Sequence, residues 1–190
     1  SIGQNRKALA LREKGLKQSL DQDDNYQARK FLASLLLTSL YDGDLSKASG
    51  HLDQLNSLDK DGAFAFNIAL GRAIIFGLTG RRELSDKIFS ELEKKENTSA
   101  FILPSWKVTI AEKTKTWETV IQHNGTLLDL TLAHNFREDL PGIYLSLATA
   151  HSHSGQTEKS IEYLDKTLSL VETIRATDNK SLSLGLLEVY

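Results

Sequence analysis

Three glycines punctuate this chain at a nearly constant interval, and that interval limits the folds open to it. Tyr41-Asp42-Gly43-Asp44 closes one apolar stretch and opens another, as do Leu78-Thr79-Gly80-Arg81 and His153-Ser154-Gly155-Gln156. Gly43 and Gly80 stand 37 positions apart, and Gly80 and Gly155 stand 75 apart, twice 37.5. A period of this size marks stacked repeats, in which a helical hairpin buries its apolar face only against its neighbours. The spacing predicts a further turn near residue 117, where Lys113-Thr114-Lys115-Thr116-Trp117 is polar and lies between two apolar stretches. That turn has lost its glycine while the interval survives.

Between the turns, apolar residues recur at three and four, as in Phe31, Leu35, Leu36 and Leu40 and again in Ile161, Leu164, Leu168 and Val171. This is the period of an amphipathic helix, and strand-like alternation of Val, Ile and Thr is nearly absent. Helices are predicted at about 4–20, 25–41, 45–58, 62–78, 82–95, 100–113, 116–134, 139–153, 157–175 and 179–190. The only two prolines, Pro104 and Pro141, fall in first turns, where a missing N–H costs nothing.

Aligned on the glycines, the segments share a pattern. Five residues past each glycine stands a small side chain (Ala48, Ser85, Ser160), and nine past it a large apolar one (Leu52, Phe89, Leu164). The small residue lets the second helix lie close to the first, and the large one fills the space beside it. The pattern resembles the tetratricopeptide repeat. The fourth segment is the nearest to that family, with Leu147-Ala148, His151, Gly155, Ser160, Leu164 and Thr167, and Lys7-Ala8-Leu9-Ala10-Leu11 is similar to the end of such a unit. The interval is longer than the family's usual 34 residues. The third segment lacks its glycine, Arg72 stands where Leu is usual, and Gly125 falls inside a helix, so the repeat subtype stays open. The resemblance implies an all-α, right-handed α-solenoid of antiparallel helix pairs, about four units with partial helices at either end. Residues 1–24 then form an N-terminal helix ending a preceding repeat, and residues 25–190 the repeat domain.

Composition narrows the function classes. Lys plus Arg is 23 and Asp plus Glu 25, a net charge of −2, without the basic surplus that a nucleic-acid binder uses to displace counterions. With no cysteine, thiolate metal sites and disulfides are excluded; the compartment stays open, with the cytoplasm slightly favoured. Methionine is absent even at position 1, which reads as a processed product or a piece of something longer. The apolar stretch from Ala63 to Gly80 carries Asn67 and Arg72, so a buried helix explains it better than a membrane span.

No phosphate-cradling glycine loop, nucleophile elbow or His-Glu-x-x-His pair occurs, and neither catalytic residues nor a cofactor are expected. Asp21, Asp23 and Asn25 begin like a calcium loop, but Tyr26 and Leu32 replace the required glycine and glutamate, leaving an acidic helix entry with an N-cap. His151 and His153, two apart, point to opposite sides of a helix, so His151 is expected in the core and His153 outside. Trp106 and Trp117 are either binding anchors or repeat core.

The resemblance implies a concave groove built from first helices. Carried over by position, its lining is Lys30, Ala33 and Leu37, then Asn67, Leu70 and Ile74, then Leu145, Thr149 and His153. Such a face suits a helix or extended peptide of a protein partner, with packing between repeats as the competing role. Ala33, Leu70 and Leu145 stand where chaperone-tail binders of the family carry polar clamps, so that ligand is not expected. The link Ile174-Arg175-Ala176-Thr177-Asp178-Asn179-Lys180 into Ser181-Leu182 resembles those in regulatory regions of bacterial signalling proteins, and a scaffold subunit fits equally. A helical enzyme with a dispersed site is the remaining alternative. The last residues, with Leu184, Leu186, Leu187, Val189 and Tyr190, read as a first helix without its partner, whose apolar face self-association or a further domain would cover.

Overall fold

The computed structural model describes the backbone of residues 2–95 and 100–187 and the side chains of residues 7–95, 100–173 and 175. The described residues are helices joined by turns, with no strand among them. The chain divides into two compact units, Ser1–Thr98 and Ser99–Tyr190. The first holds α1 (Ile2–Asp21), α2 (Asn25–Asp42), α3 (Leu45–Leu58), α4 (Ala65–Leu78) and α5 (Arg82–Glu93); the second holds α6 (Ile102–Lys113), α7 (Trp117–Ala133), α8 (Leu140–His153) and α9 (Thr157–Leu187).

In the first unit each helix packs on the next, and α4 rests on both α2 and α3. The core is Leu32, Leu35, Leu36 and Leu40 of α2 with Leu52, Leu55, Leu70 and Ile74, all buried. Gly71 brings α4 close to α2: a Cβ there would stand 2.7 Å from Leu36 Cδ2. In the second unit α7 packs on α6 and α8, and α8 on α9, around Val108, Val120, Leu127, Ile143 and Leu147.

One turn geometry recurs at six helix ends. At Gly43 the N–H groups of Gly43 and Asp44 donate back to the carbonyls of Leu40 and Ser39, the Schellman arrangement with a left-handed residue after the helix. Asp23, Gly80, Lys115, Asn135 and Gly155 repeat it. The turn expected near residue 117 is therefore present, with Trp117 the first residue of α7 and Lys115, at φ 56°, doing what glycine does elsewhere. The small residues after the turns are buried, and two of them reach across to the first helix: Ser85 Oγ donates to the Ala73 carbonyl at 2.8 Å and Ser160 Oγ to the Ala148 carbonyl at 2.9 Å.

Two helix boundaries differ from the sequence expectation. α4 begins at Ala65 instead of 62, because Asp59 and Asp61 take the N–H groups of Phe64 and Ala63 and hold residues 59–64 as a loop. The break expected between 175 and 179 is absent, and α9 runs through it to Leu187 as a single helix. The link holds neither glycine nor proline, so nothing in it stops the backbone hydrogen-bond ladder. The side chains of Leu184, Leu186, Leu187, Val189 and Tyr190, and with them the expected self-associating face, lie outside the described residues. No helix among the described residues is long and apolar enough to cross a membrane. Arg72, in the apolar stretch, is exposed and donates to Asn56 Oδ1 at 2.9 Å.

Candidate binding groove

The expected groove residues separate by burial. In the first unit Lys30 is exposed, Leu37 and Asn67 are half-buried, and Ala33, Leu70 and Ile74 are buried. Leu70 is 1% exposed and Ile74 0%, so these two side chains pack the interior of the unit and offer no surface to a ligand. Lys30 is held over the Tyr26 ring, its ammonium 5.4 Å from the centroid.

The second unit brings its three together. Pro141 in the first turn of α8 starts the helix with φ already set. One turn on, Leu145, Thr149 and His153 follow at intervals of four and so lie along one line of the helix, and all three are exposed. The Thr149 hydroxyl donates to the Leu145 carbonyl at 2.9 Å. The His153 ring stacks flat on Trp117, with centroids 4.2 Å apart and planes 9° apart. Trp117 sits there because the turn at Lys115 sets α7 off beside the end of α8.

Between this line and α6 lies an open cleft of about 320 Å³ lined by Glu112, Trp117, Gly142, Leu145, Ser146 and Thr149. One side of it carries an internally bonded polar chain. Asn124, 2% exposed on α7, donates from Nδ2 to Ser146 Oγ at 2.7 Å, and the Ser146 hydroxyl donates in turn to Glu112 Oε1. The cleft thus offers an apolar strip from Leu145 and the Trp117 ring, a carboxylate at one rim and hydroxyls beside it. Of the cleft's lining, sequence reasoning named Leu145 and Thr149 as groove residues, with His153 farther along the same line of α8, but not Glu112 or Ser146, nor Asn124 behind them. The signal it had was Asn124, a polar residue nine positions past the αL residue, where the other pairs carry Leu52, Phe89 and Leu164.

The remaining chemistry-bearing residues have structural duties. His151 is buried, with Nδ1 2.9 Å from Gln156 Oε1 and its ring stacked on Tyr163. Trp106 is half-buried on α6. At the acidic entry to α2, Asp24 caps the helix by accepting the Gln27 N–H at 3.0 Å. Among the described residues no three His, Cys, Asp or Glu side chains gather as a metal site would require.

Sequence reasoning missed one cluster altogether. Arg29, 6% exposed on α2, bonds Asp59 at 2.8 Å and forks onto both carboxylate oxygens of Asp61, while its guanidinium lies 5.3 Å from the Phe64 ring centroid. The hydrogen bond from Arg29, helped by the Ala63 N–H, holds the Asp61 carboxyl far below the usual carboxylate range. This cluster fixes the α3–α4 loop.

Comparison with protein-family models, with curated proteins and with solved structures finds no match for this chain.

Proposed function

We propose that this chain is a protein- or peptide-binding module of tetratricopeptide-like kind, a right-handed α-solenoid of helix pairs serving as the regulatory region of a larger signalling protein. Two observations support the repeat reading. The same turn closes the first helix of every pair, at Gly43, Gly80, Lys115 and Gly155, and the same buried small residue follows three of the four turns. The binding reading rests on the α8 cleft. An exposed line of Leu145, Thr149 and His153 beside the flat face of Trp117 is apolar enough to take a helix or an extended peptide, and Glu112 at the rim favours a ligand with a cationic group there.

The test uses Gly142, which lines the cleft and whose Cβ position meets nothing within 4 Å. Gly142→Leu therefore fills the cleft without straining the fold. Immobilised wild-type chain and the G142L variant are used to capture proteins from a lysate, with melting curves as the control on folding. The expected result is a partner retained by the wild type and lost with G142L at an unchanged melting temperature. Identical captured sets from both proteins would overturn the reading.

A further inference from the structure

We propose that α9 carries a second docking surface, which takes a basic amphipathic helix of another polypeptide along Ile161, Leu164, Leu168 and Val171. This goes beyond the cleft on α8, because the apolar stripe belongs to α9; the two surfaces adjoin at Thr149.

The four side chains follow one another at intervals of three, four and three, the seam spacing of paired helices, and all four are exposed. Their equivalents on α7, and two of them on α3, are occupied. With Gly155 matched to Lys115, the four correspond to Ile121, Asn124, Leu128 and Thr131 of α7. There Asn124 bonds Ser146 of α8, Ile121 and Leu128 pack into the cluster that holds Ile143 and Leu147 of α8, and Thr131 is buried. With Gly155 matched to Gly43, Leu164 and Leu168 correspond to Leu52 and Asn56 of α3, where Asn56 receives the Arg72 guanidinium from α4. On α3 and α7, then, this face receives the first helix of the next pair. Leu52 is 6% exposed; Leu164, in the same place, is 41% exposed. Beside it, Ala148, Thr149, Ser152, His153 and Ser160 form with Leu164 a groove of about 230 Å³ between α8 and α9. Because α9 continues as one helix to Leu187, the described residues supply no further helix to fill this place.

The charge beside the stripe says what kind of helix fits. Glu158, Asp165 and Glu172 recur every seven residues, all exposed, and run as a line of carboxylates along the outer edge of the stripe. The matching positions are Glu118, Gly125 and Leu132 on α7 and Ser46, Asp53 and Lys60 on α3, so neither internal stacking face carries such a line. The row is thus a property of α9 and not of the repeat. A helix with Lys or Arg flanking its apolar positions meets it favourably. A second copy docked antiparallel by the same face would set these carboxylates against themselves.

The probe is a synthetic 18-residue helical peptide with Leu at positions matching the stripe and Lys along one flank, against the same peptide with Glu in place of Lys. Binding to the 190-residue chain is read by fluorescence anisotropy at low and high salt. The Lys peptide is expected to bind at least tenfold tighter than the Glu peptide, weakening as salt rises. Leu168→Glu is expected to cut its binding at least tenfold without changing the helical circular dichroism, since Leu168 is exposed. The triple variant Glu158→Lys, Asp165→Lys, Glu172→Lys, which leaves the stripe intact, is expected to reverse the preference toward the Glu peptide. Equal binding of both peptides, binding of neither, or preference unchanged in the triple variant would overturn the proposal. So would light scattering that shows a dimer dissociated by L168E, since the stripe would then belong to a second copy. G142L is expected to leave peptide binding to α9 intact, which separates this result from the fate of the α8 cleft.

Discussion

Lys115 shows at the scale of one residue how a repeat keeps its spacing after losing its glycine. A non-glycine residue at φ 56° carries a steric cost of about 1–2 kcal/mol, because Cβ crowds the following carbonyl. The turn persists because its backbone hydrogen bonds to Glu112 and Ala111 and the packing of α7 on α6 outweigh that cost. Lys115→Gly is therefore expected to stabilise the protein by about 0.5–1 kcal/mol, the relief of strain less the greater chain entropy of glycine. Chemical denaturation with unchanged m-value checks it. A second prediction concerns acid. Asp61 titrates far below an unfolded aspartate, so its contribution is complete above about pH 4, the unfolded value, and erodes as pH falls from there. The melting temperature of the wild type is expected to fall on acidification below pH 4. Asp61→Asn is expected to be less stable at neutral pH and to lose less on acidification, as parallel melts at pH 7 and pH 3 would show. The sequence placed the turn at Lys115 from spacing alone, but nothing in it joined Arg29 to Asp59 and Asp61. That pairing spans thirty positions and exists only once α2 and α4 have stacked.

At the scale of the helix, periodicity carried most of the reading, since apolar residues at three and four fix which face is buried and the αL turns fix where the helix stops. It failed where a helix end depends on a tertiary partner, as at the start of α4, and where no stop signal exists, as within α9. The same limit explains Leu70 and Ile74. Their positions match a groove line, but α4 lies close enough on α2, through Gly71 against Leu36, to bury them. Gly71→Val is accordingly expected to destabilise the fold by about 1–3 kcal/mol, because the interface has no room for a branched side chain. Gly125 gives the opposite expectation. It lies inside α7, and a Cβ there meets nothing within 4 Å. Gly125→Ala should stabilise by about 0.5–1 kcal/mol through helix propensity alone. Paired denaturation curves of the two variants measure both effects.

At the scale of each unit, stability is expected to follow the number of neighbours a helix has. In the first unit α2 packs on α1, α3 and α4, whereas α1 has α2 as its main support. Amide exchange is therefore expected to be slowest in α2 and α4 and markedly faster in α1, which residue-resolved exchange by NMR would test. Equal protection across α1 and α2 would show that the unit opens only as a whole. The six αL residues that close helices hold one more consequence. Asp23 to Gly43, Lys115 to Asn135 and Asn135 to Gly155 are each 20 positions, one helix and its turn. Strokes of equal length give α2, α7 and α8 a common gauge of about 21–27 Å for helices of 14 to 18 residues, which α9, at 31 residues, overruns. The turns at Lys115, Asn135 and Gly155 then lie at the ends of α7 and α8, on one of two rims away from the packed faces. A fluorophore or tether attached at exposed Gly155 or Asn135 would sit on such a rim and report on the helices without entering their packing.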